Sequence, residues 1–264
     1  MRFRPCIDIH NGKVKQIVGG SLKDQGDQAA ENFVAEQDAA WYASLYKEKK
    51  LYGGHVILLN PASSPYYETT KAQAMKALAA WPGGLQIGGG IHDENAEEFL
   101  RAGASQVIVT SFVFKDGQFK EENLNRLVHA VGKEQLVLDL SCRKKDDAYY
   151  IVTDRWQKFT DVRLTPAILD ELSGSCAEFL IHAVDVEGKA SGIEKELASL
   201  LGNWGKIPIT YAGGVGSFDD LHQLDICGNG KLNVTIGSAL DLFGGTMEYK
   251  KVIDYIEKAR KGYE

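Results

Sequence analysis

The stretch "FRPCIDIHNGKVKQIVGG" (residues 3–20) places an aspartate, Asp8, near the end of an apolar run, and "QLVLDLSCRKK" (135–145) does the same with Asp139. Each is followed by the same features in the same order. After Asp8 come "LQIGGGI" (85–91) and "VIVTSF" (107–112); after Asp139 come "ITYAGGV" (209–215) and "VTIGSAL" (234–240). The offsets barely change: 131 residues between the aspartates, 124 between Gly89 and Gly213, 127 between Ser111 and Ser238. A period this long is half a domain duplicated, not a short solenoid repeat.

Working outward, β-branched runs at 3–9, 55–59, 84–88, 106–110, 135–140, 178–184, 207–211 and 232–236 alternate with amphipathic stretches at 36–50, 68–80, 93–102, 121–131, 165–173, 193–202, 217–225 and 247–261. Strands alternating with helices are βαβ units with a parallel sheet. Asp93, Thr165-Pro166 and Ser217 mark helix starts, by capping or by proline in the first turn. A Rossmann-type sheet would carry one glycine-rich turn after its first strand, and no G-x-G-x-x-G follows Asp8. Duplicated halves favour a closed (β/α)₈ barrel over residues 1–264 as one domain, a length this fold commonly uses. Two segments, 10–35 and 142–163, exceed a minimal connection; both follow an aspartate strand and read as active-site loops.

Strand parity puts Cys6, Asp8 and His10 on one face, and Asp139, Ser141 and Arg143 on the corresponding face of the second half. The apolar alternates belong to the helices, so both aspartates point into the barrel at the C-terminal strand ends, where this fold carries its chemistry. Gly89-Gly90 and Gly213-Gly214 let the backbone come close to an anion. One unit later, Thr110-Ser111 and Gly237-Ser238 supply hydroxyls and further N–H groups. Two such pairs predict two phosphate sites, and hence a substrate with a phosphate at each end. His10 and His182 are placed to touch that substrate, whereas His55, His92, His129 and His222 read as packing or surface residues. Trp156, in "VTDRWQKF", is either a half-buried hairpin residue or a ring that stacks on a planar heterocycle.

Composition bounds the rest. Net charge −6 and a pI near 5.6 give no reason to expect nucleic acid. Four scattered cysteines (Cys6, Cys142, Cys176, Cys227) have neither disulfide nor zinc-ligand spacing, which favours a reducing compartment. The apolar strand pattern begins at Phe3, so no leader peptide is expected, and no run suits a membrane span. The reading is a cytoplasmic monomer with no membrane partner, no metal and no cofactor.

Together, the Asp8 strand with "NGKVKQIVGG", "LQIGGGI", "VIVTS", "DLSCRKK", "VTDRWQKF", "YAGGV" and "IGSALDLFGG" resemble the phosphoribosyl-formimino-aminoimidazole-carboxamide ribotide isomerases of histidine biosynthesis, in their fungal and plant branch. The similarity runs from about residue 3 to about 255. It implies a (β/α)₈ barrel that turns an aminoaldose into an aminoketose by an Amadori rearrangement. The family's base maps to Asp8 and its acid to Asp139. Its phosphate-binding and substrate-binding positions map to Gly19, Gly20, Gly89, Gly90, Thr110, Ser111, Arg143, Gly213, Gly214, Gly237 and Ser238, and its loop tryptophan to Trp156. The chain departs from the commoner bacterial pattern twice. Leu58 stands where a strand-two aspartate would be, and "IHAVDVEGK" (181–189) lacks the strand-six threonine, with Asp185 as the position that keeps an acid. Two rivals remain: the cyclase subunit of imidazole glycerol phosphate synthase, which shares the aspartates and phosphate sites, and a non-catalytic barrel that binds phosphorylated metabolites. A sensor would need neither aspartate, and "LDLSCRKK" with the Trp156 loop fits the isomerase better than the cyclase.

Overall fold

The computed structural model describes residues 1–17, 31–154, 156–189 and 191–261. Its parallel strands are β1 (Cys6–His10), β2 (Gly54–Leu58), β3 (Leu85–Gly88), β4 (Gln106–Val109), β5 (Leu136–Asp139), β6 (Glu178–His182), β7 (Ile209–Ala212) and β8 (Leu232–Thr235). Each pairs with the next in chain order. The ring closes through a parallel bridge between Phe3 and Val234. Two backbone hydrogen bonds of 2.9 Å flank it, from Arg4 N–H to Val234 O and from Val234 N–H to Arg2 O. A helix follows every strand: α1 (Ala39–Glu48), α2 (Tyr67–Ala80), α3 (Ala96–Arg101), α4 (Glu121–Val131), α5 (Pro166–Ser173), α6 (Lys195–Trp204), α7 (Phe218–Cys227) and α8 (Tyr249–Lys261). This is the (β/α)₈ architecture that the duplicated halves predict.

Local chemistry sets the element ends. Thr165 accepts from the N–H of Ile168, with Pro166 in the first turn of α5; Ser217 accepts from the N–H of Asp220 at the start of α7. The helix expected from Asp93 begins later, at Ala96. Asn95 ties the intervening turn by accepting from His92 N–H and donating to Gly90 O, while Asp93 pairs with Arg126.

The barrel interior is layered. At its floor Glu178 is buried and accepts from Arg4, from Gln86 Nε2 at 3.1 Å and from Thr210 Oγ1 at 2.6 Å. Ile108, Val137 and Leu180, with Ile57 against them, form a separate apolar layer. Outside the strands, Ile7, Ile9, Leu138 and the inner faces of the helices make the main core. An apolar plug over a polar floor leaves the C-terminal mouth as the place for a site.

Both long connections are organised by antiparallel pairing. Asn11 and Gly12 have positive φ (50° and 73°), and this tight turn sends residues 13–17 back along β1. Asn-Gly is the sequence that such hairpin turns favour. The segment 142–163 forms a three-stranded sheet, Cys142–Lys145, Ala148–Thr153 and Lys158–Arg163, with its first turn at Asp146-Asp147 (φ 49° and 59°).

Candidate active site

Asp8 lies in β1 and Asp139 ends β5, and both line a cavity of about 360 Å³ at the barrel mouth. Gly89, Gly90, Thr110 and Ser111 form one side of this cavity, and Trp156 reaches it from the three-stranded sheet. A smaller cavity of about 40 Å³ shares Asp8 and extends to Gly213, Gly214, Gly237 and Ser238. The four glycine and hydroxyl turns thus flank Asp8 in two groups, as the half-barrel repeat predicts. A shallower depression of about 730 Å³ beside α4 holds the Asp93–Arg126 ion pair and none of these residues.

The two glycine pairs differ in surroundings. A Cβ on Gly89 would lie 2.1 Å from Leu58 O, and one on Gly214 would lie 2.1 Å from Gly192 O, so both glycines admit close backbone packing. Gly90 has φ 70°, is exposed, and a Cβ there would meet nothing within 4 Å. Space at Gly90 is therefore free for a ligand, whereas Gly214 is covered by the segment after β6, whose Gly192 N–H donates to Gly214 O. This makes Gly90→Ala the cleaner probe. The left-handed φ should cost about 1 kcal/mol of stability, while the methyl group should raise KM about tenfold or more by blocking anion approach. An unchanged KM would remove Gly90 from the substrate site.

Burial in the barrel mouth pushes Asp8 up to about 7 from 3.8; the nearby Glu187 carboxylate adds to the rise, and His182 and Gln16 pull against it. Gln16 stands beside Asp8 because the Asn11-Gly12 turn folds its strand back; its Nε2 lies 3.4 Å from Asp8 Oδ2 and 3.7 Å from Cys6 Sγ. Asp139 Oδ1 accepts from Ser141 N–H at 2.8 Å and from the Ser141 hydroxyl. Ser141 Oγ lies 2.9 Å from His182 Nδ1, and the His182 ring packs 5.0 Å from Trp156. A polar chain therefore runs from Asp139 through Ser141 to His182 and ends on the indole. Trp156 is half-buried at the cavity wall with φ 66°, a left-handed conformation that bulky residues rarely hold and that clusters at ligand sites. Both readings of this residue meet there: it belongs to a hairpin turn, and its ring faces the cavity. Thr153 Oγ1 donates to Ser111 Oγ at 3.0 Å, which ties the sheet to the first hydroxyl turn.

Three candidates lie elsewhere. His10 is buried at the end of β1 and lines neither cavity. Arg143 turns away, its Nε donating to Asp185 at 2.9 Å and its guanidinium lying over Phe159. The alternation that aimed it inward stops when the chain leaves β5 and starts a new sheet at Cys142. Asp185, held by Arg143 and by Lys144 N–H, is outside both cavities. The acid that lines them is Glu187, two residues on, raised by burial. Gly19 and Gly20 lie outside the described residues. His55, read as packing or surface, is buried inside the barrel opposite Cys6, with its ring 6.3 Å from His182. Burial, with the charges of His182 and Arg4, holds it down to about 3, so its imidazole is neutral.

Residues 2–247 match the profile of a family described as Histidine biosynthesis protein. A protein of Medicago truncatula is 54% identical over 96% of this chain and 81% of its own length. It is named 1-(5-phosphoribosyl)-5-((5-phosphoribosylamino)methylideneamino)imidazole-4-carboxamide isomerase, chloroplastic. Proteins of Neurospora crassa and Saccharomyces cerevisiae bearing the same isomerase name are each 45% identical, over 92% and 93% of this chain and 93% and 94% of theirs.

Proposed function

Because the chain belongs to the histidine biosynthesis protein family, we propose that it is the isomerase its relatives are named for, with Asp8 as base and Asp139 as acid. The observation that carries this reading is one cavity, of about 360 Å³, holding both aspartates and one glycine–hydroxyl turn, joined at Asp8 to a second cavity holding the other. The substrate carries a phosphate at each end, and each glycine–hydroxyl turn takes one. Asp139 protonates the ring oxygen of the aminoaldose, which opens to a protonated imine. The positive nitrogen acidifies the neighbouring C–H bond, and Asp8 removes that proton. The resulting enaminol takes a proton back at the former imine carbon as its hydroxyl becomes a ketone, giving the aminoketose. The steps redistribute protons within one molecule, so atoms and electrons balance without a co-reactant. Trp156, at the cavity wall, offers its face to the planar imidazole.

A base works best with a pKa near the operating pH, and Asp8 near 7 meets that condition. Since only its ionised form can take the proton, kcat/KM should climb with pH up to about 7 and then level off. A limb ending near the ordinary aspartate value would oppose this role. Turnover of the aminoaldose without ammonia tests the function itself; consumption of the aminoketose only when ammonia is supplied would favour the cyclase.

All four cysteines are free, which supports a reducing compartment. Cytoplasm and plastid stroma both qualify; the plant relative's name says chloroplastic. No helix among the described residues is long and apolar enough to cross a membrane.

A further inference from the structure

Cys6, Asp8 and His55 each offer a donor atom, and these atoms all lie within 4.8 Å of one another. No sequence spacing announces the group, because it spans two strands: the parallel register of β1 and β2 sets Cys6 opposite His55, and parity turns Asp8 to the same face. His55 is 2% exposed and its Nδ1 has no hydrogen-bond partner, an arrangement that buried polar atoms generally avoid. Cys6 Sγ and Asp8 Oδ2 share only the long contacts to Gln16 Nε2. All three residues line the cavity of about 40 Å³, about enough for one ion with a water molecule.

We propose that Cys6 Sγ, an Asp8 carboxylate oxygen and a His55 ring nitrogen form an inhibitory site for a thiophilic divalent cation of the Zn²⁺ type. One sulfur, one imidazole and one carboxylate suit Zn²⁺ and exclude Mg²⁺ or Ca²⁺, which take oxygen sets. Zinc bonds of about 2.0–2.3 Å require the three donors to close by about an ångström. Turning the Gln16 amide over would present its oxygen as a fourth ligand. On binding, the thiol proton of Cys6 leaves to solvent and the sulfur bonds to the metal, with no change of oxidation state. The fourth position otherwise belongs to water. A cation held here ties up Asp8; this inhibitory half rests on Asp8 being the base, and the binding half does not.

The test is titration of the purified protein with Co²⁺ as a spectroscopic stand-in, followed by Zn²⁺. One equivalent should bind with a thiolate-to-cobalt absorption band, and Zn²⁺ should displace it. Cys6→Ser should lose the band, and His55→Gln, which keeps the thiol, should weaken binding about tenfold or more, roughly the effect of removing one protein ligand. Zn²⁺ should suppress turnover and a chelator should restore it. No band in the unaltered protein, or a band that survives in Cys6→Ser, would overturn the site. Full turnover with the site saturated would overturn the inhibitory claim and count against Asp8 as base, while the cobalt band would still stand for the site.

Discussion

Replacing Asp8 with asparagine should lower kcat by on the order of 10³-fold while leaving KM near its starting value, the pattern expected when a group acts only in the transition state. The amide is nearly isosteric and can still contact Gln16, so the cavity should keep its shape. The decisive measurement is exchange of the substrate proton next to the imine with solvent. Asp8→Asn protein that exchanged it at the original rate would show that another group is the base. The variant should not be lost to misfolding. A carboxyl raised from 3.8 to about 7 binds its proton more tightly in the folded chain than in the unfolded one. Its ionised form therefore costs nothing below about pH 4, progressively more up to about pH 7, and a constant amount above. The shift corresponds to at most about 4 kcal/mol, and partial exposure of Asp8 reduces that. Asp8→Asn should accordingly melt at a higher temperature than the original at pH 8 and no higher at pH 4.

Asp139→Asn should also cost about 10²–10⁴-fold in kcat, but with a different dependence on substrate. The amide oxygen of that variant can still accept from Ser141 N–H and its hydroxyl, so the chain through Ser141 to His182 should persist. What the amide cannot do is release a proton to the ring oxygen. A substrate already in the open-chain imine form should therefore recover most of the lost rate. An equal defect on cyclic and open-chain substrates would remove ring opening from the duties of Asp139.

The framework of this site was legible because its signals are local. Each strand is a short β-branched run, several helix starts carry a cap or a proline, and the glycines stand directly at strand ends. Asp8 and Asp139 could be aimed inward because their apolar neighbours alternate with them. His55 could not: "HVILL" is apolar nearly throughout, as strands covered on both faces are, so it carries no alternation that would show which way the histidine points. Glu187 follows a short helical turn at Val184–Val186 that rotates the chain after β6, which brings the second acid rather than the first to the cavity. Gln16 owes its place to the Asn11-Gly12 hairpin, a signal present in the sequence whose antiparallel consequence puts an amide beside Asp8. Arg143 was misdirected by extending strand parity past the end of β5.

Ring closure also sets a timetable for biosynthesis. The bridge at Phe3–Val234 and the Arg4–Val234 hydrogen bond join residues about 230 positions apart. At about 5–20 residues per second, the ribosome delivers Val234 roughly 10–50 s after Phe3. Throughout that interval the β8-facing edge of β1 is an unsatisfied strand edge, the kind of surface on which nascent chains pair with the wrong partner. Arg4 likewise waits in water until Glu178 emerges to receive it. Growing cells should therefore engage this protein with chaperones until its last strand has left the ribosomal tunnel, and variants that weaken the Val234 seam should lower the yield of folded enzyme before they alter its turnover.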